Sequence, residues 1–550
     1  MITRTATAFD DRIYPAEWRS WQDPQIPEHF NGVEILFTRH LRGPTADKAA
    51  VIADDVAHSY RDLWSLVVRA ASGLRALGLR PGERILLFGT DSVEYLATWL
   101  GAVYAGIVPA VVSDLYKTPE LLYFLDDTAA RALFIDAEQL GKLDEISARL
   151  PDSLEHIIIR GDGVATAPSY PSRTSSTLAA LLDNAVEISP YQQHRNDICY
   201  MFYSGGTTGT AKGIIHLAHD FILVPARQGA FWNYQPDDVV FATSRKYFTH
   251  GLWPGVLIPL SIGATCVIQR PAPNPAALLA TVEKARVTKL ITVPTIIKMM
   301  VEHRGSDTTI TDFSSVTMVV SASEKMPPSL FERFSELFGV EIFDSIGSAE
   351  VTYEWIANRP GQSRRGSLGK PVFGYEIRLV DADGHDVVQP NVPGQVWVKS
   401  KTSCFFYWRK FDKSRETFVG PWAITGDNLY FDEDGFYWFA GREDDVFKVK
   451  GLWVSPIEIE AAITAHPTVL EAAVVAVTNA EGLTVPHALV VLRAGMTADD
   501  TLVTELKNRV KALGGYKVPE KIDFVEQLPR TTLLKIDRRA IRLALAAARG

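Results

Sequence analysis

The chain has 550 residues, 47% hydrophobic and 22% charged, an ordinary globular balance that excludes a mainly disordered or fibrous protein. Lys and Arg number 56 against 65 Asp and Glu, and the net charge of −9 argues against bulk nucleic-acid binding and a polybasic membrane anchor. Three widely spaced cysteines, Cys199, Cys266 and Cys404, form neither a disulfide framework nor a metal-ligand pattern, which points to a reducing, cytoplasmic setting.

At ~150 residues per domain the length allows about three or four domain-sized units. The first ten residues lack the apolar core of a secretory signal. Helical apolar spacing over 60–77 is followed by a buried-strand pattern over 84–89, a helix over 93–106 and a strand over 108–112. Strand patterns return at 130–135, 155–159, 198–203, 289–293 and 316–320. This alternation predicts parallel sheets covered by helices. The Pro/Ser/Thr-rich stretch 165–177 predicts a surface loop. Residues 251–268 are long enough and uncharged enough to span a membrane, but Pro254 and Pro259 interrupt them, so buried core is expected instead. After Gly366, short runs at 375–381, 394–399 and 435–441 predict a small β-rich subdomain at about 367–442. A helix near 456–465, a strand near 472–477 and a helix near 500–513 follow. The expected fold is α/β: a large N-terminal domain, 1–442, and a small α+β C-terminal domain, 443–550.

The segment Tyr203-Ser-Gly-Gly-Thr-Thr-Gly-Thr-Ala-Lys-Gly213 follows a strand pattern. Glycines let successive backbone N–H groups converge on one anion. Ser204, Thr207, Thr208 and Thr210 add hydroxyls and Lys212 adds charge, which suits a polyphosphate. It is not a Walker A loop, because Ala211 and Gly213 flank the lysine where that pattern needs Gly and Ser/Thr.

This loop resembles the Tyr-Thr/Ser-Ser-Gly-Thr-Thr-Gly-x-Pro-Lys-Gly signature of adenylate-forming enzymes: acyl-CoA ligases, adenylation domains and luciferase. Ser345-Ile-Gly-Ser-Ala-Glu350, Trp422-Ala-Ile-Thr-Gly-Asp427, Gly441–Gly451 and Leu528-Pro-Arg-Thr-Thr-Leu-Leu-Lys535 resemble that superfamily's later motifs, in its order. Segments 338–350, 366–371 and 469–475 resemble benzoate-CoA ligases and their aryl relatives.

The resemblance implies an AMP-forming acid-CoA ligase with ATP, Mg²⁺ and coenzyme A. Its acid would be benzoate-like, aromatic or alicyclic. Nucleotide would be held by Ser204, Gly205, Gly206, Thr207, Thr208, Gly209, Lys212, Asp344, Ser348, Asp427 and Arg442. Glu350 would hold the metal, Lys535 would bridge carboxylate and α-phosphate, and His250 would stand near the substrate carboxylate. Phe248, His250, Ser321, Ile346 and Gly347 would form the acid pocket, with mostly apolar walls. His216 either faces that region or orients the helix after it. Asp444 matches a hinge about which the C-terminal domain moves, bringing Lys450 and Gly451 to the CoA side. Taken alone, Lys535 reads as a solvated tail lysine, and Lys448, Lys450 and Gly451 as a charged hairpin. The aromatic run Phe405–Trp408 is expected to pack in the β-rich subdomain. Gly205, Ala211, Ala349 and Leu534 depart from the family pattern, and Ala349 removes a hydroxyl beside the α-phosphate, for which Ser348 could compensate. Rival readings are an enzyme loading a carrier protein and a degenerate nucleotide-binding protein. No nucleic-acid or stable membrane partner is implied, and a homodimer is left open.

Overall fold

The structure is a computed structural model. It describes residues 11–161, 166–183, 188–204, 210–270, 273–306, 311–324, 326–442, 445, 447–449, 452–479, 481–531 and 536–547. The chain divides into two compact units. One runs to Ile377 and takes in Val398–Ile424; the other comprises Arg378–Trp397 and the chain from Thr425 onward.

The first unit is built on two large sheets. In the eight-stranded sheet the spatial order is Tyr407–Trp408, Lys212–Leu217, Ile198–Ser204, Val108–Val111, Arg84–Phe88, Ala132–Asp136, His156–Arg160 and Thr174–Thr177. Pairing is parallel from Ile198–Ser204 to Thr174–Thr177 and antiparallel at the Lys212–Leu217 end. Ile85, Leu86, Leu87 and Phe88 are fully buried. Parallel strands are covered on both faces, so they read as continuous apolar runs, as these do. Ser59 and Asp62 form a capping box at the start of the helix Tyr60–Ala76, which satisfies backbone N–H groups that the first turn leaves open.

The nine-stranded sheet is ordered Lys370–Pro371, Glu354–Ala357, Ile342–Gly347, Met318–Ser321, Lys289–Thr292, Val239–Ala242, Thr265–Ile268, Ala49–Ala53 and Val56–Ser59. Its centre is parallel, and Glu354–Ala357 returns antiparallel on Ile342–Gly347. The carboxyl ends of such parallel strands are where open α/β sheets present ligand sites.

Two sequence expectations need correction. Thr174–Thr177 is not loop but an edge strand, paired in parallel with His156–Ile159. Its Thr and Ser side chains tolerate a half-exposed edge, so the segment carries no apolar signature. The aromatic run does not pack in a β-rich subdomain: Tyr407–Trp408 pairs with Gly213 and Ile214 in the eight-stranded sheet, and Phe405 is exposed.

Residues 251–268 form buried core. Thr249–Leu252 continues through a π-turn, Trp253–Leu257, into Ile258–Ile262 and then the strand Thr265–Ile268. Among the described residues no helix is long and apolar enough to cross a membrane.

A five-stranded sheet is ordered Glu376–Val380, Gly394–Lys399, Trp422–Phe431 and Phe418–Val419, with Tyr437–Arg442 also pairing Trp422–Phe431. Further along the second unit, Val469–Thr478 and Thr484–Leu492 pair antiparallel, and Lys521–Phe524 joins in parallel. The helices Pro456–Thr464 and Asp500–Lys511 pack Ile459, Ile463, Leu506 and Val510 against Val474 and Val490 of that sheet. Each such buried aliphatic side chain contributes about 1.5–3 kcal/mol.

Gly251 shows how tightly the helix at 249–252 is set. A Cβ there would lie 2.1 Å from the Arg245 carbonyl oxygen and 2.5 Å from that of Ser244, both backbone atoms. Gly251→Ala is therefore expected to cost about 1–3 kcal/mol of overpacking strain or more, visible in a thermal melt as a Tm lowered by a few degrees. An unchanged Tm would mean that this backbone yields freely.

Candidate active site

Three groups of side chains lie at strand ends of the two large sheets of the first unit. The first surrounds the Gly/Thr segment. Ser204 and Lys212 are cross-strand partners closing the hairpin of Ile198–Ser204 and Lys212–Leu217. Tyr123 Oη donates to the Ala211 carbonyl at 2.6 Å, and Tyr203 Oη donates to Asp127 at 2.7 Å, so the hairpin's ends are fastened from outside. The Lys212 ammonium lies 4.7 Å from the centroid of the Tyr407 ring, a cation–π distance. Tyr407 Oη in turn donates to Glu350 Oε1 at 2.9 Å. Burial, and then the Glu350 carboxylate, raise the Tyr407 pKa well above the ordinary phenol value, so the group stays a donor. The Glu350 backbone carbonyl accepts from Cys404 N at 2.7 Å. Lys212 and Glu350, far apart in sequence, thus meet on opposite parts of one tyrosine.

The second group follows the strand ends. Thr292 pairs with Ser321, and Ser321 with Asp344. Ser345 Oγ donates to the Ser321 carbonyl at 3.0 Å. Asn358 holds the Asp344 carbonyl with its Nδ2 at 2.9 Å and its backbone N at 3.1 Å. Ile346 faces Ile356 across the antiparallel pair.

The third group is centred on His250. A buried Lys246 anchors its loop: the Lys246 backbone N donates to Asp91 Oδ1 at 3.0 Å, and its ammonium donates to the Ala242 and Ser244 carbonyls. Burial lowers the Lys246 pKa. Phe248 precedes the first turn of Thr249–Leu252 and accepts from Gly251 N and Leu252 N. His250 Nδ1 lies 3.2 Å from Glu354 Oε1, and Nε2 lies 3.1 Å from the Thr292 carbonyl oxygen. Both ring nitrogens therefore face oxygen atoms, one of a side chain and one of the backbone. Gly347 is opposite Glu354, and a Cβ on Gly347 would lie 2.8 Å from Glu354 Oε2 and 2.5 Å from the Tyr353 carbonyl. The glycine lets this carboxylate lie flat against the strand.

His216 is buried one strand pair away. It stacks on Tyr200 at 4.7 Å and lies 3.0 Å from Asp220 Oδ2, at the start of the helix Asp220–Phe231. Tyr200 Oη also donates to that oxygen, at 2.8 Å.

In the second unit, Asp427 and Arg442 are cross-strand partners, with Arg442 Nη1 2.9 Å from Asp427 Oδ1. Gly426 before them has φ 73°, a left-handed conformation that glycine adopts without strain. Gly205, Gly206, Thr207, Thr208, Gly209, Asp444, Lys450, Gly451 and Lys535 lie outside the described residues, as does Leu534. Ala349 packs against the apolar core of the eight-stranded sheet, and the neighbouring Ser348 Oγ is buried without a hydrogen-bond partner among the described residues.

Sequence reasoning missed Tyr407 and Glu354. Tyr407 stands out in the sequence only as part of the aromatic run Phe405–Trp408, because its partners are 195 and 57 positions away along the chain and meet it only in the fold. Glu354 did leave one: it is the sole charge in the buried strand Glu354-Trp-Ile-Ala357.

The AMP-binding enzyme family matches residues 37–408, and the AMP-binding enzyme C-terminal domain matches residues 458–535. A benzoate–CoA ligase of Thauera aromatica is 35% identical over 524 residues, 94% of this chain and 97% of that protein. The crystal structure of the anthranilate CoA ligase AuaEII in complex with anthranoyl-AMP superposes with a TM-score of 0.87 at 34% identity, covering 95% of this chain and 99% of that one. A benzoate CoA ligase from Burkholderia xenovorans LB400 superposes with a TM-score of 0.83 at 33% identity, covering 93% and 100%.

Tyr407→Phe removes the hydroxyl that holds Glu350 and leaves the ring under Lys212. A hydrogen bond to a charged group contributes about 1.5–3 kcal/mol. ATP binding, measured by calorimetry with Mg²⁺ present, should weaken about tenfold. Unchanged affinity would remove Tyr407 from the nucleotide site.

Proposed function

The chain belongs to the AMP-binding enzyme family, and from that premise we propose that it is an ATP-dependent acid–CoA ligase acting on a benzoate-like carboxylic acid through an acyl-adenylate. The observation that carries this reading is the meeting of Lys212 and Glu350 on Tyr407 at the ends of the Gly/Thr segment, with buried His250 at the end of Lys289–Thr292 and against Glu354, four residues beyond Glu350. Likeness to ligases named for benzoate and anthranilate over nearly the whole chain supports the aromatic acid.

A carboxylate is a poor electrophile, since it is anionic and would have to expel oxide. Its oxygen instead attacks the α-phosphorus of ATP, the bond to the β-phosphate bridge breaks, and pyrophosphate departs. The thiol sulfur of CoA then attacks the acyl carbon, the thiol proton is lost, and AMP leaves. Both steps place negative charge on phosphate oxygens, so fixed cations and donors are what the site must supply. Lys212 and the hydroxyl of Ser204 stand at the hairpin that would receive the phosphates. Glu350 fits magnesium carried with ATP, because that ion takes one or two carboxylates together with phosphate oxygens and water. Bound there, magnesium would neutralise phosphate charge. By motif, Asp427 and Arg442 would hold the ribose, Asp344 would lie near the adenine, and Lys535 would supply the ammonium of the adenylation step. His250 would face the substrate carboxylate.

The test is pyrophosphate release with ATP, Mg²⁺ and a panel of benzoate-like, alicyclic and straight-chain acids, with and without CoA. Acid-dependent release with acyl-CoA and AMP formed in equal amounts on adding CoA is expected. Release without a CoA product would replace the ligase with a carrier-loading enzyme, and no release with any acid would overturn the reading.

Lys535→Ala separates the two half-reactions. Loss of one charge-stabilising group costs about 10²–10³ in rate, so adenylation should fall by that order. Thioester formation from supplied acyl-adenylate should fall far less. Equal losses in both would deny Lys535 its assigned step.

A further inference from the structure

Beside the residues assigned to the acid pocket lies a carboxylate that the reaction itself does not require. Glu354 is 2% exposed, and it lies between His250 and Gly347, two residues that the motifs assign to that pocket. Its Oε1 is held by His250, whereas its Oε2 is buried with no hydrogen-bond partner among the described residues. Two further buried donor-acceptor groups of the same region are also without partners there: Ser321 Oγ and Tyr353 Oη. Tyr353's ring centroid is 5.9 Å from that of His250, and Ser321 ends the strand beside Thr292, whose carbonyl holds His250. Protein interiors pair nearly all buried polar groups, and an unpaired one is costly. A carboxylate oxygen is acceptor-only, so what completes it must bring a proton.

We propose that Glu354 is a specificity-determining residue, and that the acid carries a hydrogen-bond donor on its ring, an amino or hydroxyl group, which Glu354 Oε2 accepts. This rests on the ligase reading above and refines its substrate. A second anion in a pocket that admits a carboxylic acid would ordinarily repel it. The His250 ring lies against Oε1 at 3.2 Å and leaves Oε2 as the oxygen open to recognition. An unsubstituted ring would leave Oε2 desolvated and unpaired. Sites built to hydrogen-bond a substrate hydroxyl or amine reject the analogue lacking it by large factors, up to about 10⁴–10⁵.

The experiment compares kcat/KM for acyl-CoA formation with benzoate and with its ortho, meta and para amino and hydroxy derivatives, in wild type, Glu354→Gln and Glu354→Ile. At least one donor-substituted acid should exceed benzoate about a hundredfold or more in wild type. Glu354→Ile should invert that preference toward benzoate, and Glu354→Gln, which keeps an acceptor and the side chain's size, should retain part of it. Near-UV circular dichroism establishes that each variant is folded. Equal use of benzoate and its derivatives by wild type, or a preference that survives in Glu354→Ile, would overturn the proposal while leaving the ligase intact. If no acid is turned over, the ligase reading fails instead, and the proposal is then judged on calorimetric binding of the same acids. Donor-dependent binding lost in Glu354→Ile supports it, and binding indifferent to the donor overturns it.

Discussion

The six residues 348–353, which return the chain from Ile342–Gly347 into Glu354–Ala357, are the constraint from which the candidate site takes its shape. The first strand runs parallel to Met318–Ser321 on one edge and antiparallel to Glu354–Ala357 on the other. The return holds a tight turn at Ala349–Val351 and one residue in an unfavourable conformation. Thr352 sits at φ 80°, an unfavourable conformation for a β-branched residue that costs about 1–3 kcal/mol. Its hydroxyl donates to the Thr402 carbonyl at 2.6 Å, and the Glu350 carbonyl is held by Cys404 N, so the surrounding chain fixes what the turn would otherwise relax. The result places two carboxylates four residues apart in different surroundings. Glu350 accepts from Tyr407, whose ring lies under Lys212; Glu354 faces His250.

On the proposed reading, that separation lets one turn serve two needs. The phosphate side needs a carboxylate that remains partly open to a hydrated cation, and Glu350 is half-buried. The acid side needs a carboxylate shielded from water, so that a single hydrogen bond discriminates between rings. Glu354 meets that need only because His250 pairs with it: a buried charge without a partner would cost several kcal/mol. Lys246 and Gly251 matter to this account because they fix the loop and helix that carry His250.

Much of the fold was legible in the sequence. Continuous apolar runs such as Arg84–Phe88 mark parallel strands buried on both faces, and the α/β class follows from their alternation with helices. Thr174–Thr177 was not legible, because an edge strand needs no apolar face and its Thr/Ser run resembles a loop. Tyr407–Trp408 was misplaced because its partners come from a hairpin nearly 200 residues earlier, and local pattern carries no information about such pairing. At the site, ordered motifs singled out Lys212, Glu350 and His250. They could not show that Tyr407 joins the first two, or that a buried Glu354 lies against His250 and Gly347, where mostly apolar walls were expected. Side-chain direction within a strand and contact across sheets belong to the folded structure.

The most direct test is a crystal structure with an unreactive acyl-sulfamoyl adenosine carrying the preferred donor-substituted ring. The account predicts the adenylate mimic on the Glu350 side, and the ring's donor about 3 Å from Glu354 Oε2 with His250 still on Oε1. A ring bound away from Glu354, with Oε2 solvated or unpaired, would contradict the division of labour between the two carboxylates.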